Sequence, residues 1–160
     1  MDCTFRTPEG RFNYRATAVI ISRGNLLVMR DEFCTHYYLP GGRIRLHETA
    51  RDAVRRELWE ELNIEASVVR PLWLNENFFT LDPSGERVHE MGIYFLTDVS
   101  ECALPGPENL PFSMDEDGRS NTFFWLPFGE LKSVELYPLF IRERIFTLPE
   151  QLEMITEIEP

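Results

Sequence analysis

Between residues 57 and 61 the chain carries three glutamates, Glu57, Glu60 and Glu61, with no lysine or arginine among them. The stretch has helical spacing. Ala50, Val54, Leu58 and Leu62 recur every four residues and make a core-facing stripe, which predicts a helix from Glu48 to Leu62. Taking Leu58 as origin, with about 100° of rotation per residue, Glu57 falls at about −100°, Glu60 at about −160° and Glu61 at about −60°. The apolar stripe runs from about −80° at Ala50 to about +40° at Leu62, so the acids lie at or beside one margin of it rather than opposite, and are expected to be partly sheltered. A solvated face laced by ion pairs would set a base three or four residues after each acid. Here Glu57 is followed at those spacings by Glu60 and Glu61, Glu60 by Asn63 and Ile64, and Glu61 by Ile64 and Glu65. Arg56 to Glu60 alone has compensating spacing, in the weaker order. Carboxylates gathered this way repel unless a cation joins them, and a hard oxygen cluster suits Mg2+ or Mn2+.

The segment Gly42 to Ile64 resembles the Nudix box: a glycine, five residues, a glutamate, seven residues, then Arg-Glu, an aliphatic, any residue, Glu-Glu, any residue, a glycine and an aliphatic. Gly42, Glu48, Arg56, Glu57, Leu58, Glu60, Glu61 and Ile64 stand at matching positions. Asn63 replaces the last glycine, and asparagine tolerates the left-handed backbone that ends a helix. Leu39-Pro40-Gly41-Gly42 before the box, and Trp125-Leu126-Pro127 running towards Glu130-Leu131, are also similar to the family. The resemblance implies an α/β fold, a Nudix-like α/β/α sandwich with a mixed β-sheet. It implies that Glu57, Glu60 and Glu61, with the backbone at Gly42, hold Mg2+ or Mn2+, and that Arg56 orients Glu57 or its neighbours. The implied reaction is metal-dependent hydrolysis of a phosphoanhydride in a nucleoside diphosphate linked to another moiety. The general base is left open between Glu60, Glu61 and an acid outside the box: Glu76, Glu90 or one of Asp115-Glu116-Asp117. Glu90 stands out because His89-Glu90 interrupts an otherwise apolar strand. Its structural alternative is an outward strand position.

Strands are expected over 13–22, 26–30, 66–79, 88–99 and 122–126, with a turn at Asp82-Pro83-Ser84-Gly85. Residues 127–131 and 137–146 read as helices. Residues 101–121, rich in proline, glycine and acids, read as a lid or mobile loop. The division expected is an N-terminal arm or edge at 1–11, one catalytic domain at 12–149, and a loosely held acidic tail at 150–160.

With 27 acidic and 16 basic residues the formal net charge is −11, which argues against broad binding to nucleic-acid backbones. A small phosphorylated substrate stays compatible, because metal ions can supply the positive charge. Arg15 and Arg43 are candidate phosphate contacts, each with a solvated surface role as the alternative. Tyr37, Tyr38, Phe78, Phe79, Tyr94 and Trp125 are candidate stacking partners for a base, against a core role. No apolar run is long enough for a membrane span, and Met1 to Gly10 lacks the pattern of a secretory signal. Cys3, Cys34 and Cys102 are widely spaced and suggest reduced thiols in a cytoplasm. A homodimer is an open possibility. The same fold could also serve a catalytically silent sensor of nucleotides or nucleotide sugars. A protein-interaction module would leave the clustered glutamates unexplained.

Overall fold

The computed structural model describes residues 1–109, 111–116 and 118–159. Its organising strand is β2 (Gly10–Ser22). Along one edge β2 takes three antiparallel partners in succession: β1 (Thr4–Thr7), β4 (Gly41–Arg43) and β3 (Asn25–Asp31). Its other edge pairs in parallel with β6 (Glu86–Asp98). Outward from there lie β5 (Ser67–Leu81), antiparallel to β6, and β9 (Glu153–Ile158), parallel to β5. On the β3 side follow β8 (Arg119–Pro127) and β7 (Phe112–Glu116), both antiparallel. The result is a mixed nine-stranded sheet, as expected.

Both faces of the sheet are covered, which explains the nearly continuous apolar runs in β2 and β3. One face packs on helix α1 (Ala50–Leu62): Ala53, Val54, Leu58 and Leu62 meet Ala16, Ala18, Ile20, Leu27 and Phe95. The other face packs Val19, Val28, Leu72, Trp73 and Tyr94 against Leu131, Leu136, Phe140, Ile141 and Ile145. Helical segments on both sides of one sheet make the α/β/α sandwich. Leu58 is fully buried, and truncating such a residue to alanine costs about 2–5 kcal/mol.

Helix α1 begins at Ala50, two residues later than its spacing suggested. Thr49 is the cap, its hydroxyl accepting from the Asp52 N–H at 3.1 Å. Asn63 ends the helix at φ 53°, ψ 42°, the left-handed conformation expected of it.

Four expectations are corrected. Residues 127–131 form only a 3-10 turn, Phe128–Glu130, and residues 137–146 only the short helix α2 (Ile141–Arg144). The apolar residues there fill the core from turns, and Pro138 supplies no N–H for a longer helix. The 101–121 loop contains β7 and the start of β8, with Phe112 stacked on Phe123 at 5.4 Å. Within that loop, Asp117 lies outside the described residues. The tail is not loose: β9 lies along β5, where its acids act as acceptors. Asn75 Nδ2 and the Phe140 N–H donate to Glu157 at 3.3 and 2.7 Å, and Asn77 Nδ2 donates to Glu159 at 2.8 Å.

Candidate active site

Burial of the helix acids follows their angle from the core stripe. Glu61 is 5% exposed, the Glu57 side chain 13% and the Glu60 side chain 34%. Their neighbour on the sheet is β4, which α1 overlies. A side chain at Gly42 would put its Cβ 2.3 Å from the Glu57 carboxyl carbon, so glycine is required for that carboxylate to reach the strand. Gly41 adopts φ +140°, and a Cβ there would lie 2.4 Å from the Ala16 carbonyl oxygen. Its N–H donates to Glu61 Oε2 at 3.1 Å. The glycine pair thus lets helix and strand approach until backbone and carboxylates touch.

Arg56 ties the cluster together. Its Nε and Nη2 grip the two Glu48 oxygens at 2.7 and 3.0 Å. Its Nη1 donates to Glu57 Oε1 at 2.6 Å and Glu60 Oε2 at 3.0 Å, and its Nη2 also donates to the Arg43 carbonyl at 2.9 Å. This bidentate grip is the strong form of an arginine–carboxylate contact. It holds the Glu48 carboxyl below its ordinary value, and Glu48 in turn raises the Arg56 guanidinium. Burial pushes Glu57 the other way, upward, although Arg56 partly offsets it. Arg45 adds a contact to Glu60 at 3.3 Å.

Arg15 reaches the cluster from β2. Its Nη2 donates to the Gly41 carbonyl at 3.2 Å, and its Nε lies 3.9 Å from Glu90 Oε2. Burial alone would lower its guanidinium, but Glu90, followed by weaker charges including Glu61 and Glu57, leaves it raised. Glu90 sits in register with Asn13, whose Nδ2 donates to it at 3.2 Å. Arg43 shares its backbone with the site, while its side chain turns towards Asp2 at 3.8 Å.

Of the other candidates, Tyr38 and Trp125 pack on the helix side of the sheet, and the Tyr38 phenol, raised chiefly by burial, also feels the charge of Glu61. Glu76 meets His89 at 3.3 Å. Phe78 and Phe79 line a groove of about 440 Å³ with Phe5, Phe12, Arg87 and His89, and that groove shares no lining residue with the carboxylate cluster. Tyr94 is buried against Phe140, and Tyr37 packs on Phe124. Asp115 lies on β7, and nothing is described of the Glu116 side chain or of Asp117. Sequence reasoning missed Asn13 and the N–H of Gly41. Asn13 carried a weak signal, a polar residue opening a run of strand formers.

The donor set fits a hard divalent cation: three carboxylates and peptide oxygens, with no sulfur or imidazole. Among the described residues, no three acidic, histidine or cysteine side chains already form a closed ligand set. Arg56 occupies Glu57 and Glu60 through one nitrogen.

The sequence profile of the NUDIX domain matches residues 12–147. No curated protein sequence matches the chain. Among solved structures, a mutator MutT protein from Bacillus halodurans is similar at TM-score 0.59 and 14% identity, over 91% of this chain and 89% of that one. An ADP-ribose pyrophosphatase from Streptococcus suis 89-1591 is similar at TM-score 0.55 and 17% identity, over 91% and 98%. A MutT protein from Methanosarcina mazei Go1 is similar at TM-score 0.55 and 18% identity, over 86% and 92%. At such identities the likeness is one of fold. The profile spans most of the chain and includes the glutamate helix, so the chain belongs to the Nudix family of pyrophosphohydrolases, which act on acid anhydrides.

Proposed function

We propose that this chain is a metal-dependent hydrolase that cleaves the phosphoanhydride of a nucleoside diphosphate linked to another moiety. The observation that supports this most is the approach of Glu57 and Glu61 to the Gly41-Gly42 strand, with Arg56 joining Glu57 to the neighbouring Glu60. Glu57, Glu60, Glu61 and the Gly42 backbone would hold Mg2+ or Mn2+, which when bound neutralises phosphate charge and activates water.

The remaining work falls to side chains. Arg56 fixes the rotamers of Glu57 and Glu60, so little reorganisation is needed as charge develops. Glu48 anchors Arg56 from behind. In this reading Glu60, the most exposed of the three acids, would take the proton of the attacking water. Arg43, at the strand end beside the carboxylates, is the phosphate contact of this reading once its side chain turns from Asp2. The structurally similar protein from Streptococcus suis is an ADP-ribose pyrophosphatase, so ADP-ribose is the first compound of the panel.

The test is phosphate or pyrophosphate release from a panel of nucleoside diphosphate derivatives, with Mg2+, with Mn2+ and with chelator. Metal-dependent turnover of one compound well above the rest is expected. Tight binding of one member with no turnover by any would replace this reading with that of a sensor. The expected setting is a cytoplasm. Among the described residues no helix is long and apolar enough to cross a membrane, and the three cysteines are free.

A further inference from the structure

We propose that Asn13 and Arg15 are positioning residues, which with Glu90 form a relay that fixes the Gly41 peptide and, through it, Glu61. The inference rests on the proposed function only in taking Glu61 as part of the catalytic set.

The relay begins at the sheet margin. Thr4 Oγ1 donates to Asn13 Oδ1 at 2.8 Å, which turns the Asn13 amide so that its Nδ2 faces Glu90 at 3.2 Å. Asn13 and Arg15 are two apart on β2 and share a face of the sheet. Glu90 lies opposite Asn13 on β6, diagonal to Arg15, and its Oε2 stands 3.9 Å from Arg15 Nε. Arg15 Nη2 then donates to the Gly41 carbonyl at 3.2 Å, and the Gly41 N–H donates to Glu61 Oε2 at 3.1 Å. Both polar groups of Gly41 are therefore held, one by Arg15 and the other by an acid of the catalytic helix.

Gly41 needs this support. It has no side chain, and its close approach to Ala16 forbids one. Glycine is the residue with the widest backbone freedom, so its peptide is oriented by its neighbours. Arg15 serves best while it stays compensated, because a partly buried guanidinium, its side chain 29% exposed, still loses hydration that a partner must replace. Glu90 supplies that charge, and Asn13 holds Glu90 in place. Asn13 is 4% exposed, so its own bonds are shielded from competing water. With its Nε turned to Glu90 and its Nη2 to Gly41, Arg15 acts through the peptide rather than on substrate.

The test combines kinetics with NMR on Arg15→Lys, Asn13→Ala and the double variant. Lysine keeps the charge but loses the fork that spans Glu90 and Gly41. Arg15→Lys is expected to lower kcat at least tenfold and Asn13→Ala at least threefold, with KM within twofold of wild type. The double variant is expected to match Arg15→Lys alone within twofold, because coupled residues are not additive. The Gly41 amide resonance of the 15N-labelled, metal-free protein should shift in both single variants. An unmoved Gly41 amide in Arg15→Lys overturns the relay, as does a KM rise with kcat preserved, which would make Arg15 a substrate contact. If Asn13→Ala does not fold, Thr4→Val removes one hydroxyl at the start of the relay and should shift the same amide in the same direction. If the wild type turns over nothing in the panel, the proposed function fails, and the Gly41 amide still decides the relay.

Discussion

Glu61 and Glu60 are one residue apart yet sit in different surroundings. Glu61 is buried and accepts from the Gly41 N–H, while Glu60 faces solvent under Arg56 and Arg45. Glutamine keeps the shape of either side chain and removes the charge. Glu60→Gln and Glu61→Gln are each expected to lower turnover at least about a hundredfold, the scale of losing one preorganised charge in an active site, with unfolding midpoints near wild type. Near-normal turnover in both would sink the metal role assigned to them. Glu48 supports a different prediction. Its proton is bound less readily in the folded chain than at its ordinary value of 4.5, so its contribution to stability is complete above that value. The contribution is lost as pH falls through the lower, folded value. Glu57, raised by burial, works in the opposite sense, so the informative quantity is a difference. Urea unfolding of wild type and Glu48→Gln at pH 7 and pH 3 should show the gap between them closing in acid. A gap that persists would mean the Glu48–Arg56 pair does not titrate with folding. The burial order of the helix acids was legible from their angles to the stripe. The bidentate grip of Arg56 on Glu48 was not, because eight residues of sequence separation say nothing about which way two long side chains turn.

At the scale of elements, α1 was the most legible part of the chain. Its apolar repeat and its asparagine stop agree locally, and such agreement is what makes a segment readable, whereas the cap at Thr49 sets a start two residues later than the spacing suggested. The residue at 63 occupies a left-handed backbone. Asn63→Gly should therefore change stability by only a few tenths of a kcal/mol, and about 1–2 kcal/mol should be lost in Asn63→Val, which pays the full steric cost of that conformation. Denaturant unfolding of the two variants measures this, and equal stabilities would mean the chain re-forms the cap in another conformation. The expected helices at 127–131 and 137–146 shrank because their apolar residues are buried from turns against the sheet. Packing on Leu72, Trp73 and Tyr94 holds these turns, whose peptide groups bond within the turns, as Leu131 N–H does to the Phe128 carbonyl and Arg142 N–H to that of Leu139. Periodicity cannot distinguish those two ways of being buried.

For the molecule as a whole, the C-terminal strand changes how the ends of the chain are understood. An acidic, nearly charge-uniform segment reads as solvated, yet Glu157 joins α2 and β5 and Glu159 meets Asn77. Removing residues 150–160 deletes β9 and leaves Asn75, Asn77 and the Phe140 N–H without those partners. Buried groups left this way cost about 1–3 kcal/mol each. A total loss of about 3 kcal/mol, the lower end for three such groups, would lower the melting temperature of a chain this size by roughly 6–12 °C. Calorimetry of the truncated chain checks it, and an unchanged midpoint would mean that β9 adds no net stability. The N-terminal strand acts at the same scale, because Thr4 of β1 meets Asn13 and so joins the sheet margin to the polar residues beside Gly41.

By itself the amino-acid sequence determined the glutamate helix, its asparagine stop and the glycine pair before it. Those features rest on local periodicity, on backbone freedom and on spacing within one element, all of which are written in neighbouring residues. Tertiary structure alone decided that Glu48 and Arg56 clasp, that Arg15 turns to the Gly41 carbonyl with Glu90 beside it, and that the acidic tail becomes a strand. Each of those depends on register between strands far apart in the chain. A one-residue slip in such pairing would send every side chain to the opposite face, and no local pattern encodes which partner a strand will meet.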